Sequence, residues 1–277
     1  MSEQEFCPRR VVLDIETVAC PLETFSEQER SYLAARARQE GDTDAAAEER
    51  AANVFALSAL TAQVALIGAL NPDTQRARLY LLVPPDASSA GQAQWDVARA
   101  AKDEIETATE RRVDVVLSEF ESGLLAAFWK DLARFQQVIT FNGRAFDGPF
   151  LMYRSMMCDV AATRDLVGKR YDDALIDLAD RLTFFGATRD RYTMDFWCRR
   201  LGIVSPKESM TGDVFGERWR AGELEQCCRY NLNDLRATAQ LFDRYIAAFG
   251  GIFHLRRNGE PVTPPAGNRT NATAKQE

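Results

Sequence analysis

The stretch Val11-Val-Leu-Asp-Ile-Glu-Thr17 places two acids, Asp14 and Glu16, two residues apart in a run of apolar and β-branched residues. In an extended strand successive side chains alternate faces, so both carboxylates project from one face while Leu13, Ile15 and Thr17 project from the other. Like charges held that close raise each other's pKa unless a cation stands between them. Ligands that are oxygen only suit a hard divalent ion, Mg²⁺ or Mn²⁺, better than Zn²⁺. A bare D-x-E also fits an edge strand whose acids face water, so metal chemistry requires further carboxylates downstream.

Two later stretches supply them. In Thr140-Phe-Asn-Gly-Arg-Ala-Phe-Asp147 the acid follows a short apolar run and an Asn142-Gly143 turn, the place where an α/β sheet presents ligands. Asn142 can meet a substrate or serve the turn itself. Around this acid, Phe146 and Phe150 offer rings, and Arg144, with Lys207 further on, offers positive charge to phosphates. Core packing of Phe150 and a solvated Lys207 fit the same residues equally well. In Tyr230-Asn-Leu-Asn-Asp234 a phenol and a carboxylate stand at i and i+4, one turn apart on one helix face. Alone this spacing is weak, and its weight comes from the order of the three stretches.

The elements that must position these groups alternate between strand and helix patterns. Arg9 to Thr17 predicts the first strand, stopped by Pro21; Ser26 to Leu60, rich in Ala, Glu and Arg and broken at Gly41-Asp42, predicts two inserted helices. Gln63–Leu70 and Ala77–Val83 flank Asn71-Pro-Asp-Thr74 and predict an antiparallel hairpin. A loop from Pro84 to Gln94 precedes a helix over Trp95–Arg111 and a strand over Val113–Leu117. Phe120–Phe135 has the apolar spacing of an amphipathic helix. A strand over Val138–Phe141 leads through the Asn-Gly turn to a helix ending near Met157. Ala174–Phe185 and Thr193–Leu201 read as helices, the second capped by Gly202. Ser205–Gly216 reads as a loop and Glu223–Phe249 as one long helix. The expected organisation is an α/β domain over residues 9–250 with a helical insertion at 26–60 and a disordered tail over 251–277.

Composition bounds the function. A net charge of -7 leaves no general basic surface, so a polyanion would need a local basic patch. Six cysteines form no C-x-x-C pair, and neither a signal peptide nor an apolar run of membrane-spanning length is visible. Reduced thiols and a cytoplasmic location are the expectation.

Taken together, Leu13-Asp-Ile-Glu-Thr17, Asn142-Gly-Arg-Ala-Phe-Asp147 and Tyr230-x-x-x-Asp234 resemble the three exonuclease motifs of the DEDD superfamily. The Tyr is similar to that of the DEDDy branch, which includes the proofreading domains of family B DNA polymerases and related stand-alone exonucleases. The sister branch carries a His one residue further from the last acid, and that position here is Arg229. The resemblance implies an RNase H-like mixed sheet of roughly five strands with the first strand central and helices on both faces. It implies that Asp14, Glu16, Asp147 and Asp234 bind two Mg²⁺ or Mn²⁺ ions about 3.5–4 Å apart. It also implies that Tyr230 orients the attacking water and that nucleotides leave a 3′ end as 5′-monophosphates. The partner implied is nucleic acid with a 3′ end, single-stranded DNA or RNA. The insertion over 26–60 departs from the family pattern and can serve a separate protein partner. Two other readings stand at this point: a haloacid-dehalogenase-like phosphatase, which would leave the Asn-Gly and Tyr motifs unexplained, and a nucleic-acid-binding or scaffolding protein on the same fold without turnover.

Overall fold

The computed structural model describes residues 9–37, 43, 55–85, 91–205 and 212–253. Its strands are β1 Arg10–Ala19, β2 Ala62–Leu70, β3 Ala77–Leu82, β4 Val113–Ser118, β5 Gln137–Thr140 and β6 Leu175–Asp177. They form one mixed sheet in the order β4-β3-β2-β1-β5-β6. The strand that carries Asp14 and Glu16 is therefore interior, paired antiparallel with β2 and parallel with β5. Its residues Val11, Val12, Leu13, Ile15 and Val18 are all buried, which fits a central strand of an α/β sheet.

The helices are α1 Glu27–Ala37, α2 Gly91–Ala108, α3 Glu121–Leu132, α4 Asp147–Met157, α5 Leu178–Leu182, α6 Met194–Leu201, α7 Gly212–Arg220 and α8 Leu224–Phe253. Helices α2 and α8 pack together, and α8 runs over β1, β2, β3 and β5 on the face of Asp14 and Glu16. On the reverse face α3 lies over β2, β3 and β4, burying Leu124, Leu125, Phe128, Trp129 and Leu132 at the spacing its sequence shows. No helix among the described residues is long and apolar enough to cross a membrane.

Local chemistry explains several of the joints. The Asn71 carboxamide accepts from the amides of Asp73 at 2.9 Å and Thr74 at 3.0 Å, closing the expected hairpin with an Asx turn. The β1–β2 register shifts between Glu16 and Thr17. At that irregularity the amide of Val64 donates to Glu121 Oε1 at 2.8 Å. Glu121 in turn forms a buried ion pair with Arg154, whose Nε donates to the same oxygen at 2.9 Å and whose Nη1 donates to the Ala59 carbonyl at 3.0 Å. One carboxylate thus ties α3, α4 and the entry to β2 to the irregularity opposite Glu16 and Thr17.

Three expectations from the sequence are corrected. Ala174–Phe185 is not one helix: Leu175–Asp177 is a strand and Leu178–Leu182 a short helix. Ile176 pairs with Ile139 and is fully buried, a tertiary pairing that a short apolar run cannot reveal by periodicity. Part of the expected loop Ser205–Gly216 belongs to α7, where Phe215 and Trp219 point into the core one turn apart. The last helix continues through Gly250-Gly251 to Phe253. Packing of Phe249 on Tyr245 and on Phe184 outweighs the roughly 1 kcal/mol that each glycine costs a helix. Most of the second inserted helix, Lys207 and the tail from residue 254 lie outside the described residues.

The approach of α8 to the sheet is set at Gly68, which pairs with Asp14 across β1 and β2. A Cβ added there would lie 1.9 Å from Asn231 Oδ1 and 2.6 Å from Leu235 Cδ1. Gly68→Ala is therefore expected to destabilise the protein by about 1–3 kcal/mol through overpacking, read as a lower midpoint in thermal and urea denaturation. An unchanged midpoint would show that α8 does not sit this close.

Candidate active site

Strand geometry brings Asp14 and Glu16 to one face, and α8 adds Asp234, so that carboxylate oxygens of all three lie within 4.8 Å of one another. Asp147 reaches the same place from the start of α4, where its Oδ1 accepts from the amide of Ile15, between the two strand acids, at 3.1 Å. Glu16, Asp147 and Asp234 are only 9%, 6% and 6% exposed. The four acids singled out from the sequence are thus neighbours in space.

Asp147 is held by the turn before it. Asn142 adopts a left-handed conformation with φ 64°, which Asn tolerates better than most residues. At Gly143 a Cβ would meet the Thr140 side chain at 2.5 Å, so the close turn requires glycine. The buried carboxylate of Asp177 accepts from the amides of Asn142 at 2.8 Å, Arg144 at 3.0 Å and Ala179 at 2.9 Å, pinning the turn to the end of β6 and capping α5. The guanidinium of Arg144 turns away from the acids: its Nε donates to Asp180 at 2.9 Å and its Nη1 to the Gly168 carbonyl at 2.8 Å. Phe146 is half-buried against Phe150, with ring centroids 5.6 Å apart, and Phe150 belongs to the core. Asn142 itself is exposed at the rim.

One face of α8 carries Cys227, Tyr230, Asn231, Asp234 and Thr238, the i, i+3, i+4 spacing. Tyr230 is 5% exposed and lies beside the Phe215 ring of α7, with centroids 6.3 Å apart. Asn231 is fully buried, and its Nδ2 donates to Asp14 Oδ2 at 2.8 Å and to Glu16 Oε1 at 3.4 Å. Neither Asn231 nor Asp177 was singled out by motif spacing. Asn231 carried a usable signal, since it stands next to Tyr230 and three residues before Asp234 on the same face. Asp177 carried none while its segment read as a helix.

Burial dominates the electrostatics. It holds Asp14 well above the usual carboxylate range, with the charges of Glu16, Asp234 and Asp147 adding to the effect. Glu16 is raised in the same way by burial and then by Asp234, against the hydrogen bond from Asn231. Asp147 is pushed up to about 7, again chiefly by burial, although amide hydrogen bonds oppose the shift. Burial, then Glu16, Asp234 and Asp14, raises the Tyr230 phenol far above its ordinary value, so it stays an O–H donor at neutral pH. Among the described residues no Lys or Arg forms an ion pair with Asp14, Glu16 or Asp147. A set of hard, all-oxygen ligands fits divalent cations such as Mg²⁺ or Mn²⁺.

A groove of about 610 Å³ is lined by Phe141, Asn142, Tyr192, Met194 and Trp197 together with Arg144, Arg170 and Arg191; the four acids are not among its lining residues. Thr238, one turn beyond Asp234, donates to the sulfur of Met194 at 3.0 Å and so joins the groove wall to α8. At its rim Tyr192, 46% exposed, stacks on Phe196 with centroids 4.7 Å apart and planes at 29°.

A family model described as a predicted 3′-5′ exonuclease related to the exonuclease domain of PolB matches residues 97–258. That span contains Asp147, Tyr230 and Asp234, while Asp14 and Glu16 precede it. No curated protein matches the chain. Among solved structures, the family B DNA polymerase from the hyperthermophilic archaeon Pyrobaculum calidifontis superposes with a TM-score of 0.50 and 16% identity, over 87% of this chain. The match spans 25% of that polymerase, and at such identity the likeness is one of fold. Because the family model covers more than half of the 277 residues, the chain belongs to the family of predicted 3′-5′ exonucleases related to the exonuclease domain of PolB.

Proposed function

We propose that this chain is a metal-dependent 3′-5′ exonuclease that shortens single-stranded DNA or RNA by hydrolysing the terminal phosphodiester and releasing 5′-mononucleotides. The observation that carries the reading is the meeting of Asp14, Glu16 and Asp234 within 4.8 Å, with Asp147 hydrogen-bonded to the amide between the two strand acids. Asp14, Glu16, Asp147 and Asp234 would hold two Mg²⁺ or Mn²⁺ ions, which when bound supply an activated water and neutralise charge on the leaving 3′-oxygen. The remaining work falls to the chain's own residues.

Asn231 fixes the Asp14 and Glu16 carboxylates in their orientation before any substrate arrives. Tyr230, held protonated, donates a hydrogen bond to the attacking water and aims its lone pair at phosphorus; it does not act as the base. The groove beside Asn142 receives the last nucleotides, and the stacked Tyr192–Phe196 pair gives an unpaired base a flat surface that a paired base cannot use. The described residues between 9 and 250 would form the frame for this one site.

The test is incubation of 5′-labelled single-stranded DNA and RNA with the protein in Mg²⁺, Mn²⁺ or EDTA. Stepwise shortening from the 3′ end is expected with either metal, none with EDTA or with Asp14→Ala, and a folded protein in every case. Tyr230→Phe should lose about 10²–10³ in turnover, the size of effect seen when one oriented donor is removed, while keeping its metal affinity. Tyr192→Ala should raise KM about tenfold, in line with one lost base stack. Absence of shortening with both metals sinks the proposal.

A second test uses stability. A carboxyl whose pKa is higher folded than unfolded binds its proton more tightly in the folded state. For Asp147, at about 7 against an ordinary 3.8, this stabilisation is fully present below the ordinary value and is lost as pH rises through about 7. In EDTA, the melting temperature of the wild type should fall relative to that of Asp147→Asn between about pH 4 and about pH 7. Stabilisation by added Mg²⁺ should grow over the same window, because the ligands must be ionised. Metal-free melts that rise with pH relative to Asp147→Asn would contradict the buried carboxyl cluster.

A further inference from the structure

A second polar pocket, of about 350 Å³, lies on the far side of the sheet, lined by Arg76, Arg78, Arg111, Arg112 and Arg134. Its position follows from register. Arg78 pairs with Ala69 and Ala69 with Leu13, so all three share the face opposite to Asp14 and Glu16. Arg76 and Arg112 stand just before β3 and β4, at the end of the sheet where β1 begins. The two sites are therefore back to back across the sheet.

Five guanidiniums meet two aspartates here, Asp114 and Asp131. Arg78 already binds both, each at 2.6 Å, and the Tyr80 hydroxyl donates to Asp131 at 2.9 Å. These groups form a fixed floor. Above it Arg134 reaches Asp131 only at 3.5 Å and Arg111 reaches Glu106 only at 3.7 Å, with side chains 63% and 82% exposed. Among the described residues Arg76 and Arg112 form no ion pair; both are exposed, and the backbone joins them, the Ala77 amide donating to the Arg112 carbonyl at 3.0 Å. Two successive left-handed residues, Glu110 at φ 51° and Arg111 at φ 55°, turn the chain so that Arg111 and Arg112 both border the pocket. In a chain of net charge -7 this is a concentrated positive patch.

Unneutralised guanidiniums repel one another, and an anion relieves the repulsion; their forked donors match phosphate oxygens in pairs. The four outer arginines come from three elements, the hairpin turn, the start of β4 and the end of α3, so the charge is spread along an open mouth rather than closed around one small ion. We propose that this pocket binds backbone phosphates of a nucleic-acid strand outside the catalytic cleft, so that a long substrate is held at two places. The inference rests on the nucleic-acid substrate proposed above.

The test measures binding of long and trinucleotide-sized single strands in EDTA across a range of salt, with inorganic phosphate as a competitor. Arg76→Gln combined with Arg112→Gln should weaken the long strand about tenfold and lower its salt slope by about 1.4, the roughly 0.7 per phosphate contact expected for single strands. Arg134→Gln alone should give about half that change in slope. In Mg²⁺ the double variant should raise KM for the long strand while turnover of the trinucleotide stays at the wild-type level. Unchanged affinity and slope in both variants, or equal loss on the trinucleotide, would overturn the proposal. So would inorganic phosphate displacing the long strand at concentrations comparable to the strand itself, which would mark a small-anion site. Because binding is read without catalysis, a wild type that binds but does not cleave would defeat the exonuclease reading alone.

Discussion

Carboxylates that are buried and close together push one another apart, and the structure depends on a frame stiff enough to oppose that push. Asp14, Glu16 and Asp234 crowd within 4.8 Å, and Asp147 hydrogen-bonds to the strand between the first two. The opposing constraint is the contact of α8 with the sheet. With no side chain at Gly68, Asn231 descends onto the strand pair and reaches both β1 acids with one amide nitrogen. A donor in this position lowers the repulsion without adding a charge, so the acids stay available to a cation.

The rest of the frame holds the acids in place from three directions. Asp177 pins the Asn142 turn and hence the start of α4, which delivers Asp147. The Glu121–Arg154 pair is buried, and breaking such a pair from one side costs about 3–5 kcal/mol, so it fixes the β2 irregularity facing Glu16 and Thr17. Trp219 of α7 donates to the Leu82 carbonyl at 2.8 Å, and Phe215 on the same helix walls in Tyr230. None of these groups has to touch a substrate. Each restricts an element that carries one that would.

The sequence showed the parts of this site that depend on local periodicity. The alternation in Val11–Thr17 placed two acids on one face, the helical spacing from Tyr230 to Asp234 placed two more groups on another, and the hairpin followed from its Asx turn. What it did not show depends on contacts across long separations. Strand β6 exists because Ile176 fits beside Ile139, and read alone its apolar run is as compatible with a helix. The role of Gly68 emerges only once α8 and β2 are known to touch, with Gly68 and Asn231 more than 160 positions apart in the chain. The guanidinium of Arg144, which its neighbours in sequence suggested as a phosphate ligand, lines the groove and also ties the turn to Asp180 and Gly168, a tie that no local pattern reveals.

Charge in this molecule is sorted by face. A net charge of -7 gives no clue to a polyanion partner, because a whole-chain sum does not show that carboxylates meet on one face of the sheet and arginines on the other. At short range the two faces act separately, since charges more than about 10 Å apart across solvent are largely screened at ordinary salt. Burial holds the acids above the usual carboxylate range, so they ionise fully only as cations bind, and the Tyr192–Phe196 pair contributes contact without charge. Long-range attraction for a polyanion must then come from elsewhere on the surface. On the proposed reading, the arginine mouth at the start of β3 and β4 supplies such charge away from the acids, which makes the affinity for a strand separable from the chemistry at its end.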